Sequence, residues 1–361
     1  MALGSMSYVP VLKARDAEIE ALLSASARLD VTPLFELQNA APPTTDAATG
    51  ALRRSKSTTT DASYFLDDIA RRWIGRLYVD VSRVAEPAAR GPWWALLSAL
   101  AMLAAPTPIL IPVLSDLEPS ASRAQAAGLG ASAGRAALRV QLPHPSPAAV
   151  AAALPAVASE LGLNASDVDV ILDWGDEMEP RFSSLDALES HTRAIIGTLG
   201  SEHGRLITVG TPNSADFAQV GDWQRTRREW WLWLRLAHAG LEVTYGDYAL
   251  YPPADPVPAA PRYGHLRYSA GSDLYVHRRA IPAAGGGLKA AFAACCEHLV
   301  ASSHFMGAGF SPADKRIADI AAKRDEMGQA GKWRQLSAEH HFAVVAAQLS
   351  APPSAPPPRT P

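Results

Sequence analysis

The sequence predicts an α/β fold, a (β/α)8 TIM-type barrel with a C-terminal appendage of a β-hairpin plus helices. Short apolar, β-prone runs alternate with longer stretches of helical spacing, which argues for parallel strands joined by crossover helices. About eight such units fill roughly 250 residues, the span of this barrel. An open doubly wound sheet is the second choice, but no G-x-G-x-x-G follows the first strand.

The elements follow in order. A strand is read at 8–13 (YVPVLK), then helical spacing at 16–28. A second strand at 31–38 (VTPLFELQ) precedes a Pro/Thr/Ser-rich loop and a helix within 53–75. The third strand, 77–83 (LYVDVSR), leads into a helix opening near Trp93. The fourth is 109–116 (ILIPVLSD) and the fifth 136–144 (AALRVQLPH). A helix around 147–161 leads to the sixth, 168–175 (VDVILDWG), and one through 188–199 to the seventh, 205–212 (RLITVGTP). A helix at 225–239 and a strand at 241–250 complete the eight. Residues 264–279 then alternate around a Ser-Ala-Gly-Ser turn, as a β-hairpin does. Helices are read at 288–302, 312–326 and 338–349, and the Pro-rich tail 351–361 as disordered. The domain reading is a tag remnant at 1–5, a barrel at 6–251, an appendage at 252–350 packed on it, and the tail.

Composition narrows the function classes. The chain has 361 residues, 48% hydrophobic and 19% charged, enough for a large core. A net charge of −3 gives no global attraction to nucleic acid or anionic membrane. No basic segment followed by an apolar run opens the chain, and 93–105 (WWALLSALAMLAA) is too short to span a bilayer. The two cysteines, Cys295 and Cys296, are adjacent and poorly placed to bridge each other. A cytoplasmic protein is expected.

In such a barrel the functional groups sit at the C-terminal ends of the strands. Those ends offer Lys13 and Arg15, Glu36 and Gln38, Asp80 and Arg83, Asp116, Gln141 and His144, Asp173, Asp176 and Glu177, Thr211 and Asn213, and Asp247. Glu36, Asp80 and Asp173 each interrupt an apolar run, and a buried charge is costly without a partner. Three readings compete. The carboxylates pair with Lys13, Arg15 or Arg83 and fix the mouth; or they hold a divalent cation such as Mg2+; or one acts as general acid or base beside Lys13 without a metal.

Other motifs read as structure. The acidic run 173–179 (DWGDEME) fits a solvated loop better than a metal cluster. His340 and His341 are neighbours and do not share a helix face. His144, in PHP, is the best histidine at a strand end, and 210–213 (GTPN) is a turn. Residues 225–235 (RTRREWWLWLR) mix Arg and Trp as single-strand binders do, but Trp230, Trp233 and Leu234 share one face and fit a core stripe better.

Read together, YVPVL at 8–12, VTPLFEL at 31–37, REWWLW at 228–233, YGDY at 245–248, LRY at 266–268 and GFS at 309–311 resemble, in that order, the Beta protein family of phages and bacteria. After GFS the family pattern has a Gly-Asp pair, where this chain has Pro312, Ala313 and Asp314. The resemblance implies a phage–host conflict or antiviral defence setting without a fixed chemistry, and marks Glu36, Asp247, Arg267 and Tyr268. The leading expectation is an enzyme at the barrel mouth, a metal-dependent hydrolase or phosphodiesterase acting on a nucleotide or nucleic acid. Lys13, Glu36, Asp80, Asp173 and Asp247 form its catalytic set, the four acids hold Mg2+ or Mn2+, and Arg83, Arg267, Tyr268 and His144 bind substrate. The alternative is a non-catalytic platform whose appendage and loop 38–60 engage a protein partner, a phage component or companion effector.

Overall fold

Strands buried on both faces read as continuous apolar runs, and their alternation decides which side chains enter the barrel and which meet the helices. The structure is a computed structural model. It describes residues 7–13, 15–25, 30–37, 44–45, 52–53, 69, 72–83, 90–102, 108–115, 123–142, 146–176, 184–212, 220–251, 263–283, 285–326 and 328–353. The strands are β1 (Tyr8–Leu12), β2 (Leu34–Glu36), the short pair β3 (Thr44–Thr45) and β4 (Leu52–Arg53), β5 (Arg76–Asp80), β6 (Ile109–Ser115), β7 (Ala136–Gln141), β8 (Val168–Asp173), β9 (Leu206–Gly210), β10 (Gly221–Thr226), β11 (Val243–Asp247), β12 (Tyr263–Ala270) and β13 (Asp273–Ala280). The α-helices are α1 (Asp16–Ala25), α2 (Arg90–Ala101), α3 (Ala127–Ala133), α4 (Pro147–Leu161), α5 (Leu185–Leu199), α6 (Arg228–His238), α7 (Gly287–Val300), α8 (Pro312–Ala321) and α9 (Ala330–Ser350).

Eight parallel strands close into a barrel in the order β1-β11-β9-β8-β7-β6-β5-β2. All eight expected strands are among them, and the fold is the expected α/β barrel. Val9, Leu34, Tyr78, Ile111, Ile171 and Val209 pack together inside. Their neighbours Tyr8, Phe35, Leu77, Leu110, Leu172 and Tyr245 pack outward among the helices. By the same alternation Glu36, Asp80, Arg139 and Asp173 enter the barrel, whereas Asp247 points out of it. The other end of the interior is closed by Asp169, which accepts from Tyr78 Oη at 2.6 Å, Arg135 Nη1 at 2.6 Å and the Arg205 backbone N–H at 2.6 Å.

The helical ring departs from expectation in two places. A 3-10 turn at Ala124–Ala126 running into α3 links β6 and β7, where no helix was expected. More consequentially, α9 packs on α1 and places Phe342, Val345 and Leu349 in the outer core with Tyr8. It stands where the eighth helix of the barrel belongs, so the expected boundary at 251/252 is crossed by a helix that completes the ring. The hairpin, α7 and α8 are inserted between the eighth strand and this eighth helix.

The hairpin is as expected, and β10 joins it to make an antiparallel sheet of order β10-β13-β12. Residues 225 and 226, expected to begin a helix, end that strand instead. One hairpin face packs Leu266 and Tyr268 against α7, α8 and α9 with Phe292, Ile317 and Trp333. Among the described residues no helix is long and apolar enough to cross a membrane. The expected tag remnant and residues 84–89 between β5 and α2 lie outside the described residues, as does the end of the tail.

Close approach of β12 to α7 depends on Gly264, where a Cβ would run into the backbone of Ala291 and Phe292. Gly264→Ala is expected to cost at least about 1–3 kcal/mol in urea unfolding. An unchanged midpoint would show that this contact is not needed.

Candidate functional site at the barrel mouth

The centre of the mouth is Arg139, a charged residue in the strand AALRVQ and only 1% exposed. Its Nη1 donates to Asp80 Oδ2 at 2.5 Å, and its Nε and Nη2 reach Asp173 Oδ2 at 2.9 and 2.6 Å. Nη2 also donates to Tyr248 Oη at 2.7 Å, and that hydroxyl donates to Asp173 Oδ2 at 2.7 Å. Glu36 Oε1 lies 2.8 Å from Nη2. Burial works against the charge on Arg139, but Tyr248, Asp173, Glu36 and Asp80 outweigh it and hold the guanidinium firmly protonated. The same burial pushes the Tyr248 phenol well above its ordinary range.

The three carboxylates are not equally satisfied. Asp80 Oδ1 accepts from the Ser82 backbone N–H at 2.7 Å, and Asp173 Oδ1 from Gly175 N–H at 2.9 Å. Glu36 is fully buried, and among the described residues neither of its oxygens has an aligned hydrogen-bond donor. The distance to Arg139 is that of an ion pair without hydrogen-bond alignment. Arg83, about a third exposed, approaches Glu36 at 3.6 Å. Burial pulls the Arg83 charge down, but Glu36, Tyr248 and Asp173 together outweigh it. Lys13 is buried one residue past β1, and its backbone N–H donates to Glu18 Oε2 at 2.5 Å.

Asp247 belongs elsewhere. It was expected beside the other acids, but Tyr245 and Asp247 lie two apart on the outward face, and Tyr245 packs edge-on against Trp230 of α6 at 5.1 Å. Asp247 accepts from Tyr8 Oη at 2.5 Å, Tyr245 Oη at 2.7 Å and the Ala249 N–H at 2.9 Å. Its Oδ2 also pairs with His341 Nε2 of α9 at 2.7 Å. Burial opposes its charge, but His341 leads the groups that hold the carboxyl below the usual range. Arg227, fully buried, donates to Tyr245 Oη at 2.7 Å and pairs with Glu229 at 3.2 Å. Asp247 therefore docks the last helix and is removed from both the catalytic and the metal set.

A third cluster joins the mouth to the hairpin. Arg267 and Arg334 approach the ring of Tyr251, just past β11, at 4.8 and 4.6 Å. Arg334 Nη1 reaches Glu18 Oε1 at 3.2 Å, and Arg267 Nη1 lies 3.1 Å from His265 Nε2. Arg278 faces His265 across the hairpin. Burial lowers Arg267 to about 10, only partly offset by Tyr251, with Arg334 and Arg278 acting in the same downward direction. Burial and these three arginines also keep the His265 ring neutral.

Tyr268, one residue from Arg267, points to the opposite hairpin face. Its hydroxyl donates to Asp314 Oδ1 at 2.7 Å, and its ring stacks on His340 at 3.7 Å. It is a core residue there and not a ligand of the mouth. Asp314 also meets His340 Nδ1 at 2.9 Å, so the residue where the chain departs from the GFS pattern is a buried acceptor. Trp230 and Trp233 stack at 4.9 Å in the core, as their spacing implied. Gln38, Asp116, His144, Glu177 and Asn213 lie outside the described residues, as does most of loop 38–60.

The expected Mg2+ or Mn2+ set does not assemble as proposed. Asp247 is on the wrong face, and the place among Glu36, Asp80 and Asp173 is taken by Arg139. Of the three sequence readings, ion pairing describes Asp80 and Asp173, although the partner is Arg139, which was not considered. Arg139 breaks an apolar run as the acids do, so the signal was present. Tyr248, Tyr251 and Arg334 carried no comparable signal.

Arg139→Leu would leave three acids crowded without their cation. Urea unfolding is expected to lose about 3–5 kcal/mol, and Arg139→Lys, lacking the planar fork, to recover little of it. A loss under about 1 kcal/mol would mean the ion pairs are incidental. A second expectation concerns Glu229. Burial pushes its carboxyl up to about 8 despite Arg227. Such a group stabilises the fold fully below its unfolded pKa, and that contribution is lost as pH rises through about 8. Between pH ~5 and ~9 the unfolding free energy of Glu229→Gln should therefore fall less than that of the natural chain. Parallel curves would rule Glu229 out as the source.

No curated protein matches the sequence. The spore cortex-lytic enzyme SleL of Bacillus cereus is similar in structure, at a TM-score of 0.31 and 12% identity over 69% of this chain and 72% of that one. The family model described as Beta protein matches residues 8–347, from the first barrel strand almost to the end of α9. The chain belongs to the Beta protein family.

Proposed function

We propose that the junction between the barrel mouth and the hairpin binds a phosphate-bearing ligand, a nucleotide or a nucleic-acid end. The observation that carries this is Arg267. It is 8% exposed, and among the described residues its Nε has no hydrogen-bond partner and no carboxylate lies within ion-pair distance of it. A guanidinium so buried is costly without an anion. Arg278 and Arg334 converge on the same place, and guanidinium forks match phosphate oxygens. Tyr251 offers an aromatic face, although Arg267 and Arg334 already stack on it.

Binding without metal-dependent hydrolysis is the leading form of this reading, because Asp80 and Asp173 are committed to Arg139. A catalytic form is favoured by one observation. Glu36 is buried at the mouth with both oxygens lacking aligned donors among the described residues, which suits a group that takes a proton or a hydroxyl hydrogen bond from a ligand. The setting we propose is phage–host conflict, and a protein partner at the mouth is the alternative occupant. We place the protein in the cytoplasm, where the buried free thiols Cys295 and Cys296 stay reduced.

Thermal unfolding with inorganic phosphate, pyrophosphate and a panel of nucleotides tests the reading. A ligand of the folded state raises the midpoint by mass action. Arg267→Met is expected to weaken that ligand about tenfold or more, the loss of one charged hydrogen bond. A panel that shifts nothing, or a shift that Arg267→Met leaves intact, overturns it. Glu36→Gln should retain binding; if turnover of the ligand is seen, it should be lost in this variant.

A further inference from the structure

The hairpin sheet carries a cluster that neither the mouth nor the docking of α9 uses. Asp222 of β10, His277 of β13, His298 near the end of α7 and His304 beyond it come from separate segments and converge. Asp222 Oδ1 lies 2.7 Å from His277 Nδ1, and Asp222 Oδ2 lies 3.3 Å from His298 Nε2. One ligand atom from each of these three residues falls within 4.8 Å of the others. On the far side of the His277 ring, Nε2 is 3.1 Å from His304 Nε2, and His304 stacks on Tyr275 at 3.8 Å.

We propose that Asp222, His277 and His298 bind a divalent transition metal of the zinc type, with His304 orienting the His277 ring from its other nitrogen. Bonds of about 2.0–2.2 Å around a tetrahedral ion put the ligand atoms about 3.3 Å apart. Of the two separations, 3.3 Å matches that edge and 2.7 Å falls short of it, so binding needs side-chain adjustment and no movement of the sheet. Two imidazoles and one carboxylate suit zinc, copper or nickel, whereas Mg2+ and Ca2+ prefer oxygen alone. Three protein ligands leave a fourth position for water. Asp222 and His298 are each 45% exposed, which gives the ion access, while His277 is buried and fixed.

The surroundings resemble a support for metal ligands. Arg279 donates to both oxygens of Asp222, at 2.9 and 3.1 Å, and sets the plane of the carboxylate. Each oxygen keeps a second lone pair for the ion. The competing reading is a closed His–Asp–Arg network that binds nothing.

The test uses the full chain, stripped with EDTA, exchanged into metal-free buffer and titrated with ZnCl2 against a chromophoric chelator. One equivalent is expected to bind. His298→Ala and Asp222→Asn, both at half-exposed positions, should each weaken it about tenfold or more. Co2+ in place of Zn2+ should give the visible absorption of a tetrahedral site. Arg267→Met should leave binding unchanged, which separates this site from the anion reading. Failure to take up one equivalent, or uptake that both variants leave unaltered, overturns the proposal.

Discussion

Arg139 cannot give up its proton, and within the barrel it is almost wholly withdrawn from water. Its charge must be met by neighbouring strands, and that constraint reaches across the barrel. Glu36 and Asp80 are paired in register on β2 and β5, and Asp173 stands on β8 beside β7. A one-residue slip in any of these strands would turn its acid into the helical layer and set an apolar side chain against the guanidinium. The ion pairs add little net stability over an apolar core of equal volume. Their effect is to make other registers much worse, and so to fix the height at which the strands end and the mouth begins.

How much of this was legible depends on how each residue is buried. The eight strands were readable because two-sided burial leaves continuous apolar runs such as VDVIL and ILIPVL. Glu36, Asp80 and Asp173 stood out as interruptions of such runs. Asp247 gave the same interruption, but its face could not be assigned, because β11 has Gly246 on the inward side and no inward apolar residue to set the phase. α3 was missed because its Ala/Gly sequence, AGLGASA, has almost no apolar periodicity. β10 was missed because GDWQRT is mostly polar and half-exposed, and its strand state comes from pairing with β13 rather than from its own propensity. The arginine junction was illegible for a different reason, since it joins residues from β12, β13 and α9 that only the folded chain brings together.

One local device recurs at three strand ends. Asp80, Asp173 and Asp247 each accept the backbone N–H two residues further on, at 2.7, 2.9 and 2.9 Å. A short carboxylate in this position shapes the turn that leaves the strand. The oxygen left over is then free for a longer-range task, which the phase of the strand selects. Inward, it meets Arg139; outward, from Asp247, it meets His341. After Asp247 the chain also passes through Ala249 and Leu250 at φ of 47° and 71°, a costly conformation for residues with a Cβ. That turn carries Tyr248 inward to Asp173 and Tyr251 on to the arginines, so one bend serves the interior, the helical layer and the hairpin.

The position of α9 has a consequence for the newly made chain. During synthesis all eight strands leave the ribosome before the helix that covers the meeting of the first and the last. Until the C-terminal segment emerges, Tyr8, Tyr245 and Asp247 have neither Phe342 nor His341 against them. A nascent barrel in that interval has a closed sheet with an open flank, the kind of apolar surface that chaperones hold and that neighbouring chains can invade. The hairpin and two helices inserted before α9 lengthen that interval, and the final step of folding waits until α9 has emerged.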